Sequence, residues 1–172
     1  MTDHSHADLL ARIQRLEDIE AIKQLKYRYF RSIDTADIAT LSTLVTDDFS
    51  VDYRGGTYHW QVSGKEVVLD AIANGFHNRG LAEHTGHHPE IEILSATTAT
   101  GIWYLTDIFL HLDTRLLTKG SALYRDTYVK TDGSWKIATS GYTRIYEVVE
   151  TIPAIPNVTY NILATTGRAK AG

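Results

Sequence analysis

The apolar positions in the first part of the chain recur at helical spacing. Between Asp8 and Ile33, the residues Leu9, Ile13, Leu16, Ile19, Ile22, Leu25 and Tyr29 follow at steps of three and four. Such steps put them on one face of a helix. Asp18 stands inside that run, and a side chain of this kind caps helices, so a kink or restart is expected there. A short second helix is expected from Ile38 to Val45, with Leu41 and Leu44 inward. The stretch DDFSVDYRGGTYHWQV reads as a hairpin turning at Gly55-Gly56. Gly64 then opens a third helix, Lys65 to Asn78, whose apolar face carries Val67, Val68, Ala71, Ile72 and Phe76.

Past this point the period changes. AEHTGHHPEI, from Ala82 to Ile91, is polar and holds three histidines within five residues; it reads as a loop. Glu90 to Ser95, Ala99 to Asp113, Ser121 to Thr131 and Trp135 to Val149 are rich in Ile, Val, Thr, Tyr and Trp, the composition of strands. The last two meet at Asp132-Gly133, a strong hairpin signal. Helices first and antiparallel strands afterwards predict an α+β domain over residues 1–150, its helices covering one face of a curved sheet. Residues 151–172 hold two of the three prolines. They are expected to form an arm packing on a neighbouring subunit or the pocket mouth, or else a partly disordered tail.

Composition narrows the function classes. A net charge of -4 gives no clustered cationic footprint for nucleic acid. Without cysteine, disulfides, zinc thiolates and thiol catalysis are excluded. No apolar run is long enough to span a membrane and the start lacks a signal-peptide pattern, so a cytoplasmic protein is expected. Ten tyrosines and three tryptophans suit an apolar cavity that needs a few hydrogen bonds.

Three histidines near a glutamate fit a metal site, a proton-transfer site or a plain polar loop. Other polar residues on apolar faces narrow the choice. Period-two reading puts Asp107 with Trp103, Leu105 and Phe109, and Arg144 with Tyr142 and Tyr146. A charge there needs a partner, and an ion pair between the two is one reading. Asp34 closes the first helix, where the helix dipole disfavours a carboxylate; it either finds a donor or caps the next helix. Tyr29 continues the first helix's apolar stripe.

Four blocks, RIQRLEDIEAIKQLKYRYFRSID, EHTGHHPEI, TTATGIWYLTD and TDGSWKIATSGYTRIYE, resemble the bile acid 7α-dehydratases. These belong to the SnoaL-like branch of the nuclear transport factor 2-like superfamily, alongside scytalone dehydratase and a lindane dehydrochlorinase. The resemblance runs from about Arg12 to Glu150. It implies a cone-shaped α+β barrel, a curved antiparallel sheet wrapped on helices around one deep pocket. It also implies a homotrimer that needs no cofactor and no metal. The dehydratase set falls on Tyr29, Asp34, His84, Asp107 and Arg144.

The chemistry of that set is proton transfer. A histidine can take and return a proton near neutral pH, and a carboxylate on its other nitrogen fixes the tautomer. Asp34 or Asp107 would be that carboxylate, Tyr29 a donor to the substrate oxygen, and Arg144 a balance for the carboxylates. His87, His88, Trp103, Tyr124 and Tyr142 are expected to line the pocket. The expected activity is a dehydratase acting on a small hydrophobic, steroid- or bile-acid-like hydroxylated ketone. A ring isomerase or cyclase with the same dyad, or a non-catalytic binding protein, are the alternatives.

Overall fold

The computed structural model describes residues 5–56 and 58–170. Helix α1 runs unbroken from His6 to Asp34, with Ser5 accepting the Asp8 N–H as its N-cap. It does not restart at Asp18. That side chain is buried against the sheet, where its Oδ1 accepts from Lys130 Nζ at 2.5 Å and Trp135 Nε1 at 2.9 Å. Burial works against its charge, yet these donors hold the carboxyl below the usual carboxylate range. Only the second half of α1 joins the core. Ile22, Leu25, Tyr29, Phe30 and Ile33 are buried, whereas Leu9, Leu10, Ile13 and Leu16 stay exposed. The apolar stripe therefore continues past what this chain's own sheet covers.

Helix α2, Ile38–Leu44, is capped by Asp37, which accepts the Thr40 N–H at 2.9 Å. Strands β1, Val45–Arg54, and β2, His59–Ser63, form the expected hairpin, with Arg54 opposite His59. Helix α3 covers Lys65–Gly75. It stops short of Asn78 because that N–H donates instead to the Arg168 carbonyl of the C-terminal arm.

Strands β3, Gly80–Ile93, β4, Thr98–His111, β5, Leu116–Thr131, and β6, Ser134–Thr151, complete one six-stranded sheet in the order β2-β1-β6-β5-β4-β3. At the β5–β6 turn Asp132 and Gly133 have φ of 51° and 75°, the left-handed pair that matches strand twist. Two expectations are corrected. The sheet is curved but does not close into a barrel, and it is mixed rather than antiparallel, because β1 pairs parallel with β6. The chain between them is long enough for the crossover that a parallel pairing demands.

The histidine segment is also corrected: it is not a loop but the first part of edge strand β3. The concave face carries Trp103, Leu105, Ala122, Tyr124 and Ile137 into a core closed by α1, α2 and α3. Among the described residues no helix is long and apolar enough to cross a membrane.

Candidate active site

The end of α1 lies against edge strand β3 and delivers Asp34 to His84. The carboxylate takes two hydrogen bonds from that one residue, from the backbone N–H at 2.9 Å and from Nδ1 at 2.6 Å. A carboxylate only accepts, so Nδ1 carries a hydrogen, and in the neutral imidazole the lone pair is on Nε2. Nε2 has no hydrogen-bond partner among the described residues. Phe30 stacks on the imidazole with centroids 6.2 Å apart, and Phe76 tilts against it at 5.5 Å. Gly86 makes this possible, since a Cβ there would fall 2.1 Å from the Phe30 ring. A solvent-open hollow of about 380 Å³ lies here, lined by Tyr27, Phe30, Arg31, Asp34, His84, Thr85 and Gly86.

Asp107 stands directly opposite His84 in the β3–β4 register, so the two side chains share the concave face. Its oxygens are taken by Arg144, with Nη1–Oδ1 at 2.5 Å and Nη2–Oδ2 at 2.8 Å. Both partners are almost wholly buried. Burial opposes the guanidinium's charge, but the Asp107 bonds and field hold its pKa above the ordinary arginine value. Arg144 Nε also donates to the Tyr58 hydroxyl at 3.3 Å and lies 3.1 Å from Glu147 Oε1. Tyr58 and Tyr142 join hydroxyl to hydroxyl at 2.5 Å.

Residues 14–140 match the SnoaL-like domain family. The chain belongs to that family. Solved structures give the same fold. A hexachlorocyclohexane dehydrochlorinase, LinA type 2, is 20% identical with a TM-score of 0.74, covering 87% of this chain and 99% of its own. A candidate scytalone dehydratase from Novosphingobium aromaticivorans is 20% identical with a TM-score of 0.72, covering 87% and 98%. An NTF2-like protein with a cystatin-like fold from the same organism is 21% identical with a TM-score of 0.65, covering 84% and 92%. At these identities the shared property is the fold.

The other residues singled out from the sequence separate in this SnoaL-like chain. Tyr29 is fully buried and its hydroxyl meets that of Tyr53 at 2.7 Å, outside the lining of the His84 hollow. Trp103 and Tyr124 are core residues, the indole N–H of Trp103 donating to the Tyr128 hydroxyl at 2.9 Å. His87 and His88 stand at a bulge in β3, His88 with φ of 49°. They do not line the hollow beside His84: the period-two pleat turns His87 to the convex face, where it stacks on Tyr104. His84 and His87 therefore do not face one common metal position.

A second polar centre escaped the sequence reading. Lys26 Nζ, fully buried, lies 2.7 Å from Asp126 Oδ2 and over the rings of Tyr124, Tyr29 and Phe30. Burial pulls the Lys26 pKa down while Asp126 pulls it back up. Ser140 and Tyr128 donate to the same carboxylate, each at 2.8 Å. Glu147 and Tyr58 were missed as well. A signal existed for Asp126, which shares a face with Tyr124 and Tyr128 just as Asp107 does with Trp103 and Leu105.

Proposed function

We propose that this chain is a carbon–oxygen lyase, a dehydratase that needs no cofactor or metal, acting on a hydrophobic hydroxylated ketone of the steroid or bile-acid kind. The observation that carries this reading is His84, whose Nδ1 is held by Asp34 while Nε2 has no hydrogen-bond partner among the described residues. That is the arrangement of an oriented general base. Similarity in fold to a dehydrochlorinase and a candidate scytalone dehydratase, both named for eliminations, supports the same class of reaction.

In the proposed step, Nε2 removes a proton from the carbon next to a conjugated carbonyl. The C–H electron pair moves onto the carbonyl oxygen as an enolate. Its collapse forms the C=C bond and expels the hydroxyl, which takes the proton back from the imidazolium and leaves as water. Asp34 stabilises the imidazolium in between, and Arg144, neutralised by Asp107, keeps a fixed polar wall on the same face. The working unit is proposed to be a homotrimer.

Mass spectrometry of a steroid, bile-acid and polyketide ketone panel, scored for loss of water, tests the reading. His84→Ala is expected to lower turnover by about two to four orders of magnitude, the worth of a positioned acid–base group. Near wild-type turnover in that variant would remove the claim. Chelator is expected to leave the rate unchanged.

A further inference from the structure

We infer that the hydroxyl that donates to the substrate oxygen is that of Tyr58, not that of Tyr29. The inference rests on the elimination reading of the His84 site. It follows from counting hydrogens, since a phenol has a single hydrogen to give but can accept as well.

Consider first where Tyr29 sends its hydrogen. The Asp126 carboxylate accepts only, so Ser140 gives it the hydroxyl hydrogen at 2.8 Å. Ser140 Oγ then has only lone pairs to offer, and Tyr53 points its hydrogen there across 3.5 Å. The Tyr53 oxygen in turn receives the Tyr29 hydrogen at 2.7 Å. The whole chain is oriented toward Asp126, which the buried Lys26 ammonium anchors. Burial pushes Tyr53 up to about 12 and raises Tyr29 as well, so both hydroxyls keep their hydrogens. At the end nearest Phe30 and His84, Tyr29 has no hydrogen left to donate.

Tyr58 is arranged the opposite way. Its oxygen accepts the Arg144 Nε–H at 3.3 Å and lies 2.5 Å from the hydroxyl of Tyr142. The Arg144 Nε–H already makes the Tyr58 oxygen an acceptor, and the short bond is assigned in the same sense, with Tyr142 as its donor. With two donors directed at its oxygen, Tyr58 has its own hydrogen free, and the adjacent guanidinium makes it a stronger donor. Tyr58 is also only partly buried, unlike Tyr29. Arg144 connects it through Asp107 to the register position opposite His84. A substrate lying over the Asp107–Arg144 pair meets the base at one end and the phenol at the other. Glu147 Oε1 lies 3.1 Å from the same Nε without a hydrogen bond of its own there; it balances the guanidinium's charge and is a positioning residue.

The test uses 4-nitrophenol, whose oxygen imitates the enolate and whose absorbance reports its ionisation. Wild-type protein is expected to bind it, and Tyr58→Phe to weaken binding about tenfold, the worth of a hydrogen bond to a charged oxygen. Tyr29→Phe is expected to weaken it less than Tyr58→Phe. Gly55→Ala supplies a second route, because a Cβ there falls 2.1 Å from the Tyr58 ring and displaces it without removing the hydroxyl. It too is expected to lose affinity. Thermal melting checks that each variant is folded. If Tyr29→Phe loses more affinity than the two Tyr58-directed variants, the assignment is overturned. If His84→Gln weakens the probe while both Tyr58-directed variants bind it as wild type does, the assignment falls and the elimination reading stands. If wild-type protein binds no probe, both fall.

Discussion

Lys26 and Asp126 form a wholly buried ion pair, and such a pair contributes little net stability but is costly to break. Removing one partner leaves a buried charge alone, a loss of about 3–5 kcal/mol, whereas replacing both with apolar groups is often neutral. Lys26→Met is therefore expected to lower stability strongly in urea unfolding, and Lys26→Met with Asp126→Leu to recover most of the loss. Equal instability in the single and double variants would contradict the pairing. The same residues show how far a side chain's role is legible from sequence. Asp34, Asp107 and Arg144 stood out because each was a charge where local physics disfavours one: a helix C-terminus, then two apolar strand faces. Lys26 was harder to see, for it falls beside Leu25 in a helix otherwise crowded with surface lysines and arginines. Tyr58 and Glu147 carry no local anomaly. Their positions depend on a hairpin folding over and a strand pleat lining up, which only the assembled sheet determines.

At the scale of elements, the helices and the two hairpins followed from periodicity and turn residues. The start of β3 did not, because an edge strand with one face toward solvent tolerates His, Glu and Thr. The C-terminal arm gains its foothold at the corner between α3 and β3. Helix α4, Leu163–Thr166, buries Leu163, Asn161 donates to the Gly80 carbonyl at 3.0 Å, and Arg168 binds Asp70 at 2.6 Å. At that corner the His77 ring lies 5.6 Å from the His111 ring, and its Nδ1 accepts the Arg79 N–H at 3.0 Å. Burial lowers both histidines' pKa values; Lys170 pushes both down further, Arg79 adds to this at His77 and His77 at His111, and Asp113 partly offsets them. A lowered histidine favours the folded state above its unfolded value of about 6.5 and withdraws that support as pH falls through the folded value. The arm is thus expected to exchange its amide hydrogens faster at pH ~5 than at pH ~7.5, beyond the intrinsic pH effect on exchange. His77→Gln should flatten that difference; an unchanged difference would exclude His77 as its source.

At the scale of the whole molecule, the sheet's convex face carries more apolar surface than one chain needs. Tyr104, Ile108, Tyr146 and Val148 are 38%, 43%, 55% and 40% exposed. They come from β4 and β6, on either side of β5, and share one sheet face on which Lys119 and Ser121 of β5 stand between them. Exposed apolar side chains rimmed by polar ones on a sheet face mark interaction sites. The arm adds Ile155 and Tyr160, which remain exposed even though residues 161–170 are docked on their own chain. The proposed homotrimer would cover the convex face of each subunit, with the arm along the boundary, and so use both surfaces. Closed rotational symmetry also prevents the exposed face from building open-ended aggregates. Sedimentation equilibrium at micromolar concentration is expected to give a trimer mass. Ile108→Glu combined with Tyr146→Glu places charge where the neighbour would pack, and should yield monomers of unchanged helix and strand content by circular dichroism. Truncation after Glu150 should weaken the assembly more than it weakens the fold of the remaining domain. A full-length protein that sediments as a monomer would rule out the trimer, and these exposed side chains would then need a partner of another kind.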